Sequence, residues 1–177
     1  MSSWERIARR IRVPLGFLLA IIYVWLARPT LVSILTGSVL IVVGLIIRAL
    51  AAGYVRKNED LTTAGPYAYT RNPLYLGSIT LAAGFAIAGR SSFIALCLLL
   101  FFLLIYIPVI RAEEEFLRAR FPGFEDYARR VPRLLPRLSA QPGGTSFSWE
   151  LYQKHREYNA AMGSAAIIAI LLTKVFR

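Results

Sequence analysis

Long apolar runs separated by short basic segments constrain this chain more than any other feature of its sequence. They lie at residues 13–27, 31–52, 74–88, 93–110 and 160–176. A helix needs roughly 20 apolar residues to cross a bilayer, and only helices and closed barrels satisfy their backbone there. The hydrophobic share of 56% also exceeds the roughly 45–50% of soluble domains. The pattern predicts an all-α membrane protein with about five transmembrane helices.

The connections between these runs predict how the helices are arranged. Arg28-Pro29-Thr30 is so short a break that we expect an antiparallel hairpin of the first two helices. Ser33 and Gly37 are four residues apart and allow close helix contact. Arg28-Pro29 is also no small-residue cleavage site, so we interpret run 13–27 as a retained helix rather than a signal peptide. Pro108 predicts a kink in the fourth helix. A Gly/Pro/Ser-rich linker at 139–146 divides a core, residues 1–138, from a tail, residues 139–177, with an interfacial helix at 147–158 and a last crossing.

The basic residues predict orientation and partners. With a cytoplasmic N-terminus, sixteen of the 21 lysines and arginines fall on the cytoplasmic side and four on the other, with Arg48 inside the second span. We therefore expect this orientation, in a bacterial inner membrane. The net charge of +11 lies between apolar blocks, which favours membrane lipids over nucleic acid as a partner. With one cysteine, Cys97, and one histidine, His155, we expect no metal site.

Two polar segments carry the candidate chemistry. The first, GPYAYTRNPLYLG at residues 65–77, joins the second and third runs, and Pro66 and Pro73 predict a turn followed by a new helix start. Arg71 and Asn72 then stand at a helix N-terminus, which favours an anionic ligand group. The second is the glutamate run 113–115 after the fourth span, where a carboxylate can hold a cationic amine. Because both lie on the cytoplasmic side, we expect a site for a zwitterionic ligand.

Three motifs in this order resemble the integral-membrane methyltransferases of the isoprenylcysteine carboxyl methyltransferase and phospholipid methyltransferase superfamily. They are G-P-Y-x3-R-N-P-x-Y-x-G at 65–77, E-E-x-x-L at 113–117 and G-x3-Y-x3-V-P-x3-P at 123–136, and the resemblance covers roughly residues 44–137. It implies S-adenosylmethionine as cofactor and a pocket on the cytoplasmic side, built by the loop before helix 3 and the segment after helix 4. The implied cofactor-binding residues are Tyr67, Arg71, Asn72, Pro73, Tyr75, Leu76, Gly77, Glu113, Glu114 and Tyr127, with Glu113 or Glu114 holding the amino group.

Further residues receive catalytic or substrate-binding roles. Arg111, Glu114 and Arg133 are assigned catalytic roles, with Arg133 and Tyr127 closing the site. At the entry to the last span we expect His155, Glu157 and Asn159 to touch a substrate headgroup. Arg48 belongs with them in one interpretation, in which it faces inward. In the other interpretation it extends to the lipid headgroups.

The chain departs from the superfamily pattern at two positions. Asn72 stands where these enzymes usually have histidine, and an amide can donate and accept hydrogen bonds but cannot titrate. A binding role survives there, whereas a general-base role does not. Pro108 stands where the carboxyl methyltransferases tend to carry an arginine, and Arg111 is the nearest substitute. This second departure weakens the case for an isoprenylcysteine substrate.

The function expected from these features is methyl transfer from S-adenosylmethionine to a lipophilic substrate at the cytoplasmic membrane face. The acceptor is an isoprenylcysteine-like carboxylate or a lipid amine. An NADPH-dependent membrane reductase of related architecture is an alternative, and so is a non-enzymatic membrane scaffold protein. A purely structural interpretation is also open. In it the glutamate run is a solvated helix face, and Tyr67, Tyr69 and Tyr75 form an aromatic belt at the membrane surface.

Overall fold

The computed structural model describes residues 3–56, 59–139 and 146–176, and these residues form helices and turns without a strand. The elements in order are α1 (Ser3–Leu26), α2 (Leu31–Tyr54), a 3-10 turn (Gly65–Ala68), α3 (Pro73–Gly89), α4 (Ser92–Phe101), a π-helical turn (Phe102–Tyr106), α5 (Ile107–Arg120), α6 (Phe124–Arg130), α7 (Trp149–Lys154) and α8 (Tyr158–Val175). The expected all-α membrane fold is confirmed.

Three described helices are long and apolar enough to cross a membrane. They are α2, the continuous helix Ser92–Arg120 that contains α4 and α5, and α8. Helix α3 is apolar but has 17 residues, or about 25 Å of length at 1.5 Å per residue. The figure of about five crossings therefore stays a prediction. The linker expected at 139–146 falls mostly on residues 140–145, which lie outside the described residues.

Helices α2 and α3 pack with their backbones in contact, through two glycines on each helix. A Cβ atom on Gly44 would lie 2.7 Å from the Gly77 carbonyl oxygen, and one on Gly84 would lie 2.6 Å from that of Gly37. Glycines seven apart on each helix keep these contacts on one face, because seven residues make about two turns. This contact places the end of α2 directly beside the start of α3, and we call that end of the bundle the polar end.

The close helix contact that Ser33 and Gly37 allow is present, and the partner helix is α3. Gly37 faces α3, and the Ser33 hydroxyl donates to the Ala88 carbonyl of α3 at 3.0 Å. Helix α1 packs instead along the helix Ser92–Arg120, where Ala8 joins Ile105 and Val109 in a buried cluster. Small residues predict that a helix face is approached closely, but they do not name the partner helix.

Where the sequence predicted a kink at Pro108, the structure has the π-helical turn just before it. Proline has no N–H, so the carbonyl four residues earlier, that of Leu104, loses its helical donor. The Trp4 indole of α1 donates to the Leu104 carbonyl at 3.1 Å. The proline thereby fixes how α1 sits on its partner helix.

Helix α8 is attached to the bundle at both ends. At its C-terminal end the Lys174 ammonium donates to the Val24 and Ala27 carbonyls, both at 2.7 Å, and so caps α1. At its N-terminal end Glu157 binds Arg48 of α2 with two hydrogen bonds. The described part of the tail therefore packs on the core, while the division at residue 138 stays a prediction.

Candidate functional site

The loop between α2 and α3 has the turn and the helix start that its prolines predicted. Gly65 adopts a φ of +55°, which a side chain would disfavour, and the 3-10 turn with Pro66 in its first turn follows. Helix α3 then begins at Pro73. The backbone N–H of Arg71 donates to the Pro132 carbonyl at 2.9 Å, so the loop lies against the segment after α6.

Glu114 joins this loop to α5. Its side chain is buried, and its Oε1 accepts a hydrogen bond from Asn72 Nδ2 at 3.1 Å and lies 3.3 Å from Arg71 Nε. Its Oε2 accepts from Arg133 Nε at 2.9 Å, and Arg133 Nη2 lies 2.8 Å away. The two polar segments expected to meet therefore do meet, and both oxygens of this carboxylate are occupied.

Arg71 is only partly satisfied in this cluster. Its Nη1 donates to the Ala128 carbonyl at 3.1 Å, and its guanidinium lies 5.9 Å from the centre of the Phe124 ring. Its Nε faces Glu114 without hydrogen-bond geometry and is the one side-chain polar atom in the described chain that is itself completely buried and has no hydrogen bond. Arg71 and Asn72 were expected to face an anionic ligand group, and in the structure the anion beside them is Glu114.

Glu113 has a different environment from Glu114. Its Oε1 accepts from the Tyr75 hydroxyl at 2.8 Å, and this hydroxyl accepts in turn from Arg12 Nη1 of α1 at 3.0 Å. The Tyr75 ring also packs edge-on against Tyr106, with ring centres 5.4 Å apart. Glu113 is half-buried, and within the described ranges its Oε2 accepts no hydrogen bond. This oxygen is available to a cationic ligand group.

Tyr67 lies within electrostatic reach of Glu113 and of Glu157. Burial raises the pKa of the Tyr67 phenol, and the nearby Tyr127 hydroxyl and the two carboxylates raise it further. Burial also raises the pKa of Tyr127, whose hydroxyl donates to the Tyr67 carbonyl at 2.7 Å. The Tyr67 hydroxyl has no hydrogen-bond partner in the residues that the structure describes. It therefore stays a protonated donor at neutral pH.

A partly open apolar cavity of about 520 Å³ is lined by residues of α1, α2, α3, α8 and the helix Ser92–Arg120. Tyr106 in its lining connects it to Tyr75 and so to Glu113. Arg48, Ser78, Tyr106 and Asn159 supply polar groups to its lining. Arg48 Nε and Nη2 donate to Glu157 at 3.0 and 2.7 Å, and Nη1 donates to the Ser78 hydroxyl. Of the two interpretations of Arg48, the structure has the inward-facing one.

The other predicted site residues lie around these groups. Pro73 is buried at the start of α3, and Leu76 is half-buried one turn later. Gly77 faces α2, since a Cβ atom there would lie 2.7 Å from Arg48 Cγ. His155 Nδ1 is 3.1 Å from the Ala52 carbonyl oxygen of α2, whereas Arg111 is exposed on α5 and lies outside the buried cluster.

Sequence reasoning missed three residues that complete the site: Arg12, Ser78 and Tyr106. Tyr106 and Glu113 are seven residues apart on one helix and so share a face, a spacing that was available as a signal. Ser78 follows Tyr75 by three residues on α3, which also puts the two on one face. Arg12 had no such signal, because it is one of several arginines in a basic segment.

The acidic groups of the described chain do not form a metal site. No group of three or more His, Cys, Asp or Glu side chains within the described ranges is placed to hold a metal ion. The chemistry of this end of the bundle is that of a buried carboxylate, a partly open carboxylate, neutral phenols and guanidinium groups.

Much of the chain, including the α2–α3 loop and both glutamates, resembles known proteins. A family model described as phospholipid methyltransferase matches residues 11–123, which include Arg12, the loop and both glutamates but not α6 to α8. The cobalt-zinc-cadmium resistance protein CzcN of Cupriavidus metallidurans is 39% identical over 106 residues, which cover 60% of this chain and 48% of that protein. The nickel-cobalt-cadmium resistance protein NccN of Alcaligenes xylosoxydans xylosoxydans is 38% identical over 117 residues, or 65% and 54%. The chain thus spans about half the length of these relatives, and no solved structure matches it.

Proposed function

We propose that this chain, which belongs to the phospholipid methyltransferase family, transfers a methyl group from S-adenosylmethionine to a lipophilic acceptor at the polar end of its bundle. One observation carries the proposal. The α2–α3 loop and α5 close on Glu114 and leave a half-buried carboxylate, Glu113, with a free phenol, Tyr67, within electrostatic reach of it. Tyr75, which binds Glu113, packs on Tyr106 in the lining of the apolar cavity. Because the chain belongs to a methyltransferase family, methyl transfer is the reaction that we assign to this arrangement.

The residues present fit the amino-acid part of this cofactor. Its ammonium requires a carboxylate with a free oxygen, and Glu113 has one whereas Glu114 does not. Its carboxylate requires a cationic donor, and the Arg133 side chain is 48% exposed and has donors left beyond its contacts with Glu114. We therefore assign the amino group to Glu113 and treat Glu114, with Arg71, Asn72 and Pro73, as the support that positions the loop.

When bound, S-adenosylmethionine supplies a methyl group already activated on a sulfonium. The chain then has to orient the acceptor and exclude water, and orientation alone contributes up to ~7–11 kcal/mol in well-aligned reactions. Tyr67, Tyr75, Leu76 and Tyr127 are proposed to line the cofactor side. The loop supplies no base, because Asn72 does not titrate and the raised pKa of Tyr67 keeps its phenol protonated.

A thermal-shift titration separates this proposal from the reductase alternative. A ligand at 100 times its Kd stabilises a protein by about 2.7 kcal/mol. We expect S-adenosylmethionine and its demethylated product to raise the melting temperature and NADPH to leave it unchanged. A rise in melting temperature with NADPH but not with S-adenosylmethionine would contradict the methyltransferase proposal and favour the reductase. Incubation with labelled methyl donor and total membrane lipids then identifies the methylated product.

The names of the two relatives suggest a second role, in resistance to cobalt and cadmium. Because the described residues offer no metal-binding cluster, we propose that this chain contributes to resistance through methyl transfer. A host expressing the wild type should then grow in higher cobalt concentrations than one expressing Glu113→Gln at the same level. Equal growth of the two would contradict this role and leave the enzymatic proposal untouched.

A further inference from the structure

We infer that α8 completes an acceptor site in the cavity, that the site takes a single-chain lipophilic carboxylate, and that Gly16 and Gly163 set the size of the acceptor. The inference rests on the proposed methyltransferase function and adds the acceptor class to it. Its starting observation is that one wall of the cavity is supplied by Asn159, Ala160, Gly163, Ser164 and Ile167 of α8. This helix lies outside residues 11–123, which match the family model.

The wall is held in place by contacts that leave the cavity open. Glu157 at the start of α8 binds Arg48, and Lys174 in its last turn binds the carbonyls at the end of α1. Between these two attachments the α8 residues facing the cavity are small, and several are glycine, alanine or serine. Helix α8 is therefore attached at both ends and lines one side of the cavity without filling it.

The size and shape of the cavity favour one apolar chain. Its volume of about 520 Å³ lies within the roughly 300–1,000 Å³ of pockets that hold small ligands. Its α3 wall runs from Ser78 to Ala86, about 12 Å along the helix axis. A single acyl or prenyl-like chain fills such a space, whereas a two-chain phospholipid would leave one chain outside.

The polar groups of the lining favour an anionic head. Arg48, Tyr106 and Asn159 offer hydrogen-bond donors, whereas the Ser78 hydroxyl donates its one hydrogen to the Leu74 carbonyl. None of the described lining residues carries a carboxylate. The Glu157 carboxylate is bound to Arg48 and does not line the cavity. The acceptor would therefore contact the Arg48 guanidinium and not the carboxylate. Arginine has five N–H donors, and three of these are used by Glu157 and Ser78, which leaves two for an acceptor carboxylate.

A carboxylate also matches the lack of a base in the loop. One carboxylate oxygen forms the new O–CH₃ bond while the S–CH₃ bond of the methyl sulfonium breaks and its electron pair stays on sulfur. An anion and a cation give a neutral ester and a neutral thioether, and no proton moves. A protonated amine would first have to lose a proton, for which the lining offers no acceptor carboxylate.

Gly16 and Gly163 face open space. A Cβ atom added to either meets no atom within 4 Å, whereas one on Gly44 meets backbone at 2.7 Å. Because both line the cavity, a large side chain at either position takes up acceptor space without displacing a packed helix. Met162, the neighbour of Gly163, is 59% exposed and is not part of the lining, so it provides a matched control.

The test is photolabelling of the full chain in lipid nanodiscs with three diazirine probes: a fatty acid, the alkylamine of equal length and a diacyl phosphatidylethanolamine. We expect the fatty acid to label the α8 segment around Gly163 and the α1 segment from Gly16 to Tyr23, at least fivefold above the amine. We expect the two-chain lipid to label only exposed side chains such as Phe17. Preferential labelling of the cavity by the amine or the two-chain lipid would overturn the acceptor class.

The variant Gly163→Phe should reduce cavity labelling by the fatty acid at least fivefold, while Met162→Phe leaves it unchanged. Equal labelling of the two variants, or labelling confined to the exposed side chains, would overturn the site. The thermal shift with S-adenosylmethionine is measured on the same samples. Because labelling needs no methyl donor, an absent shift counts against the proposed function and absent cavity labelling counts against the acceptor site.

Discussion

At the scale of single residues, the site depends on two adjacent glutamates in opposite environments. Glu114 is buried and bound by two arginines and an amide, while Glu113 is half-buried and has an oxygen without a partner in the described chain. Neighbours on a helix point about 100° apart, which is enough to bury one carboxylate in the protein and to turn the other towards Tyr75 of α3. In the proposed site, Glu114 therefore supports the loop and Glu113 is left to bind the ligand.

The variant Glu114→Gln should destabilise the fold by about 3 kcal/mol, because it leaves the Arg71 and Arg133 cations without their anion. Denaturation in detergent measures the change in unfolding free energy. Glu125→Gln is the control, since Glu125 pairs with Arg118 where both side chains are half exposed, and such pairs contribute at most ~1 kcal/mol. A loss for Glu114→Gln no larger than the control's would show that the cluster does not support the loop.

Alkaline pH should weaken the fold through Tyr127. Burial raises the pKa of its phenol in the folded chain, whereas an unfolded tyrosine titrates near pH ~10. The folded state then holds the proton where the unfolded state has lost it, so this contribution is complete below pH ~10 and falls as pH rises further. Chemical denaturation between pH 8 and pH 11 should show a smaller fall for Tyr127→Phe than for Tyr69→Phe, the exposed control. Identical slopes would argue against the buried phenol.

At the scale of helices, the backbone contact of α2 with α3 sets the position of the loop. Its glycines leave no room for a side chain, so the end of α2 and the start of α3 keep a fixed separation. Arg48 on α2 and Ser78 on α3 can therefore bind each other beside the cavity. The Trp4 contact on Leu104 gives α1 a similar fixed place beside α5, from which Arg12 reaches Tyr75.

The variant Gly44→Ala should therefore destabilise the protein by about 1–3 kcal/mol, because its Cβ would meet the backbone of α3 at 2.7 Å. Gly16→Ala is the matched control. Its Cβ meets no atom within 4 Å, and alanine favours a helix over glycine by up to ~1 kcal/mol. Unfolding free energies should move in opposite directions, and a neutral Gly44→Ala would contradict the close contact.

At the scale of the whole molecule, the polar groups of the site gather at one end of the bundle. The distribution of basic residues predicts that this end lies in the cytoplasm, so an exposed thiol there should resist a membrane-impermeant maleimide in intact cells. In a Cys97→Ser background we expect labelling of Arg90→Cys before lysis and of Glu125→Cys only afterwards. The reverse order would invert the predicted orientation.

How far the sequence predicts this molecule depends on the kind of contact. Apolar runs and prolines are local signals, and they predicted the helices, the turn at Gly65 and the start of α3. The bias in the distribution of lysine and arginine predicted that the loop and the glutamates lie on the same side of the membrane. In the structure the loop and Glu114 are in contact. Partner choice is not local: Ser33 and Gly37 indicated a close contact but not that α3 makes it. Both oxygens of Glu114 are bound because α5, the α2–α3 loop and the segment after α6 meet there. The residue spacing within one segment does not predict such a meeting.

The most direct measurement is a calorimetric titration of the purified protein with S-adenosylmethionine, repeated with Glu113→Gln and with Glu150→Gln, an exposed glutamate on α7. We expect the wild type and Glu150→Gln to bind equally, and Glu113→Gln to bind at least tenfold more weakly with an unchanged melting temperature, since a charge-assisted hydrogen bond contributes about 1.5–3 kcal/mol. No binding by a folded wild type, or equal affinity in Glu113→Gln, would contradict a cofactor held between the α2–α3 loop and α5.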